Sequence, residues 1–372
     1  MIYLDHAATS HPKPEAVVTA VQRWFTEVGV SGERGEGPRT REARAVVQRT
    51  RTALAALAGV PATRVAFVSG ATEGLNLALR ALCRPGARVL TTPFEHSSVV
   101  RPLRSLQDER GLRIDVLGAS AHGTPDEAAL IEALHAARPD LLVFTHASNV
   151  TGAVLDAVRL CDEARRAGVP TLLDASQTAG LLPIDVGADV VVASGHKALH
   201  GPPGIGFVAA REGVELLPQK QGGTGSSTAL DRHPAEWPTA FEAGTPNTPA
   251  IFGLGAALDW LAEAGQTTLR ERALGSLDAL RTGLRALPDV RLLGEHDGPR
   301  TPVLSLVHER YDPLELVALL ASAGVHTRAG HHCAPWVHEA LGTQAAGTLR
   351  ISTGPSTSDA DVATLLDLLR AL

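Results

Sequence analysis

The chain has few aromatic residues, few cysteines and no long apolar run. Phe, Trp and Tyr make up only 3% of its 372 residues although 44% are hydrophobic, so we expect a core built mainly from Ala, Val and Leu. The three cysteines are too few and too scattered for a disulfide framework. No stretch is long and apolar enough to span a bilayer, so a membrane protein is not expected.

An excess of positive charge is also missing, since the formal net charge is -6. This argues against nucleic acid as the main partner. The densest basic stretch, residues 39–51, interleaves arginines with Ala and Val at helical spacing, which predicts a solvated helix face. The first residues do not combine a basic segment with an apolar one, so no signal peptide is expected. The sequence therefore predicts a cytoplasmic protein of enzyme size.

What is present is an alternation of strand-like and helix-like segments from about residue 50 to 250. Apolar runs at 65–68, 88–90 and 141–144 each precede a helix-like segment. Such alternation is typical of βα units that form a largely parallel sheet covered by helices on both faces. The fold class is therefore predicted to be α/β.

The last third of the chain has a different pattern. A single long helix-like segment from 251 to about 287 leads to a strand at 303–307 and helices at 313–323 and 359–369. This pattern predicts a smaller α+β domain. We expect a large domain over residues 15–250 and a small domain formed by residues 1–14 and 251–372.

The most informative stretch is an apolar strand, residues 190–193, that leads directly to Lys197. Burying an ammonium without a partner is costly, so the amine is predicted to be held as a Schiff base by pyridoxal phosphate (PLP), whose ring nitrogen needs a carboxylate partner. A second apolar strand ends in Asp174, and the two strand ends would meet in the crevice where open α/β sheets bind ligands. The simpler alternative is that Lys197 caps a surface strand and Asp174 starts a turn.

A phosphate site is predicted where the strand at 65–68 meets the next helix, at Ser69-Gly70-Ala71-Thr72. Backbone N–H groups and the positive end of a helix dipole suit an anion, and a glycine permits close approach. A helix cap without a ligand remains the alternative. Ser194 and His196, which flank Lys197, are further candidate phosphate donors.

Three more polar side chains follow strand-like runs. His96 could stack on a pyridine ring, Asn149 could hydrogen-bond the cofactor, and Gln177 could donate to its phenolic oxygen. Each residue alone is compatible with an ordinary turn. Their convergence on one sheet edge favours a cofactor site.

These residues belong to an ordered series of motifs that covers nearly the whole chain. The series is YLDHAAT at 3–9, SGATEG at 69–74, EH at 95–96, SNVTG at 148–152, DASQ at 174–177, SGHK at 194–197, FEAGT at 241–245 and RAGHHC at 328–333. Together they closely resemble the class V aminotransferase superfamily, and within it the cysteine desulfurases, in the sulfur-mobilisation branch with a short catalytic loop. The resemblance implies the fold type I PLP architecture, with a seven-stranded sheet in the large domain, a small C-terminal domain and a homodimer.

The resemblance also implies roles for individual residues. Lys197 would carry PLP as a Schiff base, Asp174 would pair with the pyridinium, and His96 would stack on the ring. The remaining cofactor contacts would come from Ala71, Thr72, Asn149, Gln177, Ser194 and His196, and from Thr245 toward the neighbouring subunit's cofactor. Two positions depart from the family pattern, since a threonine is frequent where Ala71 stands and a histidine where Glu33 stands.

Cys333 distinguishes a desulfurase from an ordinary aminotransferase. Cys83 and Cys161 lie in apolar-periodic helical stretches and are predicted to be small buried hydrophobes. Cys333 instead lies in a polar loop, where a neighbouring imidazolium or Arg328 would favour the nucleophilic thiolate. A zinc site is a competing interpretation, but its spacing is a poor fit to tetrahedral sites. Its ligands would be His326, His331, His332 and Cys333.

Substrate binding is assigned by the same resemblance. Arg350 matches the family's substrate arginine, and a guanidinium fork suits bidentate capture of an α-carboxylate. Asn149 and Arg328 are predicted to assist it.

The predicted function is that of a PLP-dependent L-cysteine desulfurase. It would convert L-cysteine to L-alanine, form a persulfide on Cys333, and pass the sulfur to an acceptor protein or thiol for iron–sulfur cluster or thiocofactor synthesis. Selenocysteine lyase, a class V transaminase with an incidental Cys333, and a non-catalytic sulfur-transfer scaffold stay open. A metal-binding protein is a further alternative, although no resident metal is expected.

Overall fold

The computed structural model describes residues 1–32, 35–120, 123–225 and 230–372. Its strands are β1 Ile2–Tyr3, β2 Val65–Val68, β3 Arg88–Thr91, β4 Arg113–Val116, β5 Leu141–Thr145, β6 Thr171–Asp174, β7 Val190–Ser194, β8 Gly206–Ala210, β9 Val290–Leu293, β10 Val303–His308, β11 Val325–His326, β12 Arg328–Gly330 and β13 Thr348–Ser352. Its α-helices are α1 Glu15–Arg23, α2 Pro38–Ala58, α3 Ala71–Leu82, α4 Ser97–Arg110, α5 Glu127–Ala137, α6 Ala157–Ala167, α7 Thr248–Ala264, α8 Gln266–Arg285, α9 Pro313–Ser322, α10 Pro335–Leu341 and α11 Asp359–Arg370.

The large sheet has seven strands in the order β2-β8-β7-β6-β5-β3-β4. All neighbouring pairs are parallel except those of β8, which runs antiparallel to β2 and β7. Alternate residues of β7 point to opposite faces, so Val191 joins one apolar core and Val190 and Val192 join the other. The predicted α/β class and the seven-stranded sheet covered on both faces are confirmed.

Helix α3 packs unusually close to this sheet. A Cβ atom at Gly74 would lie 2.7 Å from a methyl of Val192 and 2.8 Å from one of Val208, so only glycine allows this approach. The close approach fixes the first turn of α3 beside the carboxyl ends of the parallel strands.

A second, four-stranded antiparallel sheet has the order β12-β13-β10-β9. Leucines and valines of α8, α9 and α11 form its core together with β10 and β13. The N-terminal strand β1 pairs in parallel with β11, next to this sheet. The start of the chain therefore packs with its C-terminal third.

The predicted long helix is in fact two helices. Gly265, with φ +79°, ends α7 and starts α8. Side chains of α7 belong to the core of the large sheet, whereas those of α8 from Leu277 onward belong to the core of the small sheet. The predicted domain limits at residues 14 and 250 stay a prediction. No helix in the described ranges is long and apolar enough to cross a membrane.

The prediction of a wholly solvated basic face on α2 is wrong at Arg51. Its side chain is buried, forms an ion pair with Glu242 and donates to the carbonyl of Val65 at 2.7 Å. Glu242 also accepts from the Phe67 amide at 2.7 Å. The arginine therefore ties α2 to the start of β2 and to the loop that follows residue 241.

Candidate active site

The site is a cavity of about 270 Å³ at the carboxyl ends of β6 and β7. Asp174 is the last residue of β6 and lies beside Val192 of the parallel strand β7. Lys197 follows three residues after the end of β7, and both side chains line the cavity. The predicted juxtaposition of these two strand ends is confirmed.

The electrostatics of this pair suit Schiff-base chemistry. Oδ1 of the buried Asp174 accepts from the Ser176 amide at 2.9 Å, while Oδ2 has no hydrogen-bond partner within the described part of the chain. The Lys197 amine likewise forms no hydrogen bond or ion pair with any described residue. Burial lowers the pKa of Lys197 below its usual range, and the negative charge of Asp174 opposes that shift only in part. A lysine with a lowered pKa is more readily unprotonated, the form that condenses with an aldehyde.

His96 lies at the N-cap of α4, where its ring is fixed by the serine that follows. Its Nδ1 accepts from the Ser98 amide at 3.1 Å and lies 2.7 Å from the Ser98 hydroxyl, so the proton of the neutral ring is on Nε2. Burial, and then the charge of Lys197, lower the pKa of His96 to about 4. The side chain is therefore an uncharged, oriented aromatic ring on the wall of the cavity, as stacking on a pyridine requires.

Hydroxyl groups and the first turn of α3 line the predicted phosphate end. The Ala71 amide donates to Ser194 Oγ at 3.0 Å, and the hydroxyls of Thr72 and Ser98 are 2.8 Å apart. Gly206 allows β8 to pass here, because a Cβ at that position would lie 2.9 Å from Gly70 Cα. With three hydroxyls at a helix N-terminus, this end suits an anion.

The turn that carries Lys197 is anchored from the N-terminal segment. The carbonyl of His196 accepts from the Ser10 amide at 3.0 Å, from the hydroxyls of Thr9 and Ser10, and from Lys13 Nζ at 2.8 Å. Burial lowers the pKa of the His196 ring to about 4, so the imidazole that faces the cavity is uncharged. The peptide immediately before Lys197 is therefore rigidly held.

Cys333 borders the same cavity from the opposite side, on a strained loop. It is exposed, and both it and His332 have left-handed backbone angles, with φ +57° and +50°. Non-glycine residues in this region cost free energy and persist only where surrounding contacts impose them. Here the Ser97 amide donates to the Cys333 carbonyl at 2.6 Å, and Asn149 Nδ2 donates to the His332 carbonyl at 2.7 Å.

The two predicted substrate arginines lie directly opposite each other on β12 and β13. Arg350 is buried and Arg328 is half-exposed, and both line the cavity. One carboxylate bridges them, since Asp5 Oδ1 accepts from Arg350 Nη2 at 2.7 Å and Asp5 Oδ2 accepts from Arg328 Nε at 2.8 Å. Arg350 Nη1 also donates to the Asn149 carbonyl at 3.1 Å, which fixes the guanidinium plane.

The cavity thus brings together most of the predicted site residues, but not Gln177 and Thr245. Gln177 Nε2 donates to the Ala7 carbonyl at 3.0 Å and borders a smaller cavity on the other side of Lys197. Thr245 lines a separate cavity with Glu73, Lys220 and Glu242. Their predicted cofactor contacts stay predictions, and Glu33 lies outside the described residues.

The histidines of the alternative zinc site have other partners. His331 Nε2 and His332 Nε2 lie 2.8 and 2.9 Å from the Gln344 carbonyl and the Thr348 hydroxyl, and His326 stacks on Tyr3. Among the described residues, no group of three or more His, Cys, Asp or Glu side chains is placed to hold a metal ion.

Two residues that shape the site, Asp5 and Ser98, have no role predicted from the sequence. Asp5 is in the YLDHAAT motif, where a charged residue directly after an apolar strand-like run could have signalled a buried ion pair. Ser98 follows the EH motif by two residues, a spacing typical of a helix-capping contact. Sequence spacing could suggest these local features but not the arginines that Asp5 meets.

The residues present fit PLP. The pyridine nitrogen requires a carboxylate oxygen, and Asp174 has one that is without a partner among the described residues. The aldehyde requires an amine with a lowered pKa, and hydroxyls at a helix N-terminus suit the phosphate. Asp174, Lys197 and His96 would hold the ring, and Thr72, Ser194 and His196 the phosphate.

Comparisons with known proteins agree with this chemistry. The family model described as Aminotransferase class-V matches residues 2–365. A protein of Pseudomonas aeruginosa named probable cysteine desulfurase is 36% identical over 369 residues, covering 95% of this chain and 89% of that protein. A cysteine desulfurase structure from Thermococcus onnurineus, described as apo, has a TM-score of 0.93 at 28% identity and covers 100% of this chain and 94% of that one. An Escherichia coli cysteine desulfurase in its S-sulfonic acid form has a TM-score of 0.87 at 28% identity, covering 99% and 94%.

Proposed function

The chain belongs to the class V aminotransferase family, and we propose that it is a PLP-dependent L-cysteine desulfurase. The observation that carries the proposal is that one cavity is lined by two sets of residues. We call Asp174, Lys197 and His96 the floor, and Arg328, Cys333 and Arg350 the rim. A transaminase needs the floor and the arginine but has no use for an exposed cysteine on a strained loop.

Each end of the cavity has its own task. When bound, PLP would supply an electron sink for the substrate's Cα, and Asp174 would keep the ring nitrogen protonated. Arg350 would bind the α-carboxylate, and Lys197 would remove the Cα proton at its Nζ. The neutral ring of His96 would stack on the cofactor and exclude water from its face.

Sulfur transfer would be the task of Cys333. Its thiolate would attack the sulfur of the substrate, so that a new S–S bond forms as the substrate's Cβ–S bond breaks and the electron pair passes to carbon. Protonation of that carbon then gives L-alanine and leaves a persulfide on Cys333. Because the thiol is exposed, a second thiol can reach the outer sulfur, and we propose an acceptor protein or small thiol as the partner.

The assembly and location are part of the same proposal. We propose a homodimer in which Thr245, which lines a cavity separate from its own chain's site, completes the neighbouring subunit's phosphate site. All three cysteines are free thiols, which suits a reducing compartment such as the cytoplasm. The role would be to supply sulfur for iron–sulfur clusters or thiolated cofactors.

The first test is an absorption spectrum of the purified protein, then an assay of sulfide and alanine after addition of L-cysteine and a dithiol. We expect a band near ~420 nm from a protonated PLP–lysine linkage, both products, and loss of sulfide in Cys333→Ala but not in the control Cys83→Ala. A band without sulfide would keep the PLP enzyme and reject the desulfurase. No band after reconstitution with PLP would reject both.

A further inference from the structure

Arg328 and Arg350 place two positive charges opposite each other on neighbouring strands, an arrangement that is unfavourable without a counter-charge. Asp5 supplies it, with one carboxylate oxygen on each guanidinium at 2.7 and 2.8 Å. Its side chain is only 1% exposed, so its negative charge is directed mainly toward the two arginines. Charge-assisted contacts of this kind are the strong ones.

The backbone on both sides of Asp5 is held by hydrogen bonds to neighbouring segments. The Leu4 amide donates to the His326 carbonyl at 2.9 Å, and the Ser352 amide donates to the Leu4 carbonyl at 2.8 Å. The Ala7 amide donates to Ser352 Oγ at 2.9 Å. The segment around Asp5 is therefore inserted between β11 and β13, which fixes the backbone position from which the carboxylate reaches the two arginines.

The formal charge of this cluster is one positive unit, from two guanidiniums and one carboxylate. The two buried histidines nearby add none, because burial lowers the pKa of His332 to about 2 and that of His6 to about 4. His326 Nε2 lies 3.9 Å from Asp5 Oδ2 at the half-exposed edge. Arg350 Nε is buried and has no partner among the described residues, so one N–H donor of the cluster is available to bind a ligand.

We infer that Asp5 is a specificity-determining residue, which limits the arginine cluster to one net positive charge and so favours ligands with one carboxylate over ligands with two. It does this by occupying Arg328 Nε, the group best placed on the half-exposed side to bind a second anion. The inference rests on the proposed function for the identity of the natural substrate, L-cysteine, but the charge discrimination itself can be measured without turnover.

The test uses the PLP-loaded protein at pH 8, where ordinary histidine side chains are uncharged. Calorimetric titration gives the dissociation constants of butyrate and succinate, which have the same four-carbon chain but one and two carboxylates. Asp5→Asn keeps the shape and one acceptor oxygen and removes the charge. We expect the preference for succinate over butyrate to rise by about tenfold, the scale of one charged hydrogen-bond contact.

A matched control is Asp367→Asn, the same change at an exposed residue that pairs with Arg370 on α11. It should leave the butyrate-to-succinate ratio unchanged. If Asp5 were only structural, Asp5→Asn would weaken both ligands equally, and an unchanged ratio would overturn the inference.

A second variant covers the case in which Asp5→Asn does not fold. Arg328→Gln removes one positive charge from the same cluster, so the preference for succinate should fall several-fold relative to the unaltered protein; no change in the ratio would again overturn the inference. Failure here is distinct from failure of the proposed function, because the unaltered protein could still release sulfide and alanine from L-cysteine while the ligand ratio stays constant in both variants.

Discussion

The floor and the rim of the active site are built in different ways. The floor, formed by Asp174, Lys197 and His96, stands on the ends of buried strands and at the start of a helix that follows a strand. The rim, formed by Arg328, Cys333 and Arg350, is held by contacts between segments far apart in sequence, such as Asp5 with Arg350. The order of the buried strands therefore brings the predicted cofactor residues together, with additional anchoring of the Lys197 turn by the N-terminal segment. The predicted substrate residues depend mainly on long-range contacts.

Replacement of two partly buried lysines, Lys197 and Lys13, tests the floor most severely. Lys197→Ala should abolish the cofactor band and lower desulfurase activity by at least ~10³-fold, the scale expected for loss of a catalytic base or nucleophile. Lys13→Met should keep the band, because Lys13 only donates to the His196 carbonyl and Ser10 Oγ, but lower the free energy of unfolding by about 1–2 kcal/mol. Spectra and urea unfolding measure both. If Lys13→Met also lost the band, strand order would not be sufficient to hold the predicted cofactor residues, and the contrast with the rim would fail.

Alkylation of the three thiols sharpens the contrast at the rim. Burial raises the pKa of Cys83 and Cys161 to about 12, whereas Cys333 is exposed. Iodoacetamide at pH 8 should therefore modify one thiol in the folded protein, identified by mass spectrometry as Cys333, and all three in denaturant. Modification of Cys161 in the folded state would mean that the core under α6 opens.

Glu95 provides a pH test of the floor. It is fully buried close to Asp174, and burial raises its pKa to about 8. At pH values between the ordinary pKa of a glutamate and about 8, Glu95 keeps its proton in the folded chain but loses it in the unfolded chain. The free energy of unfolding therefore falls as the pH rises, by at most about 1.4 kcal/mol per pH unit. Glu95→Gln cannot titrate, so its stability relative to the unaltered protein should increase from pH 5 to 8. For the exposed control Glu132→Gln, the difference in free energy of unfolding from the unaltered protein should stay constant from pH 5 to 8. A constant difference for Glu95→Gln would contradict the raised pKa of the buried Glu95.

The smallest expected effect measures strain in the rim. Because Cys333 has φ +57°, glycine should fit its backbone better than alanine, and Cys333→Gly should be more stable than Cys333→Ala by about 1 kcal/mol. Thermal or urea unfolding of the two inactive variants gives the difference. Equal stabilities would mean that the loop relaxes once the thiol is gone.

The floor could be predicted from the sequence because it depends on local patterns. The adjacency of Asp174 and Lys197 follows from buried strands that alternate with helices, a local pattern. The split of one predicted helix at Gly265 also has a local signal, a glycine within a helical pattern, but its effect depends on the two cores on which α7 and α8 pack. Strand β4 is exposed or half-buried at every position, so it lacks the apolar run that predicts strands such as β2 and β5.

The rim was predicted only through family motifs, and its contacts were not predicted at all. The ion pair of Asp5 with Arg350 joins residues 345 positions apart, and that of Arg51 with Glu242 joins residues 191 apart. Periodicity and spacing act over a few turns of chain and cannot find partners at such distances. The placement of Gln177 and Thr245 outside the main cavity likewise depends on tertiary packing.

The hydrogen bonds around Cys333 have a consequence for how the loop would behave in time. The thiol faces solvent, yet the carbonyls of His332 and Cys333 and the amide of Ala334 are bonded to Asn149, Ser97 and His331. In this loop, the thiol is therefore accessible to reagents while the backbone that carries it is immobile. In hydrogen–deuterium exchange, the amides of Ser97 and Ala334 should exchange as slowly as those of a helix, because both are hydrogen-bonded. A thiol on such a loop is reachable by a second molecule and still stays in one fixed position.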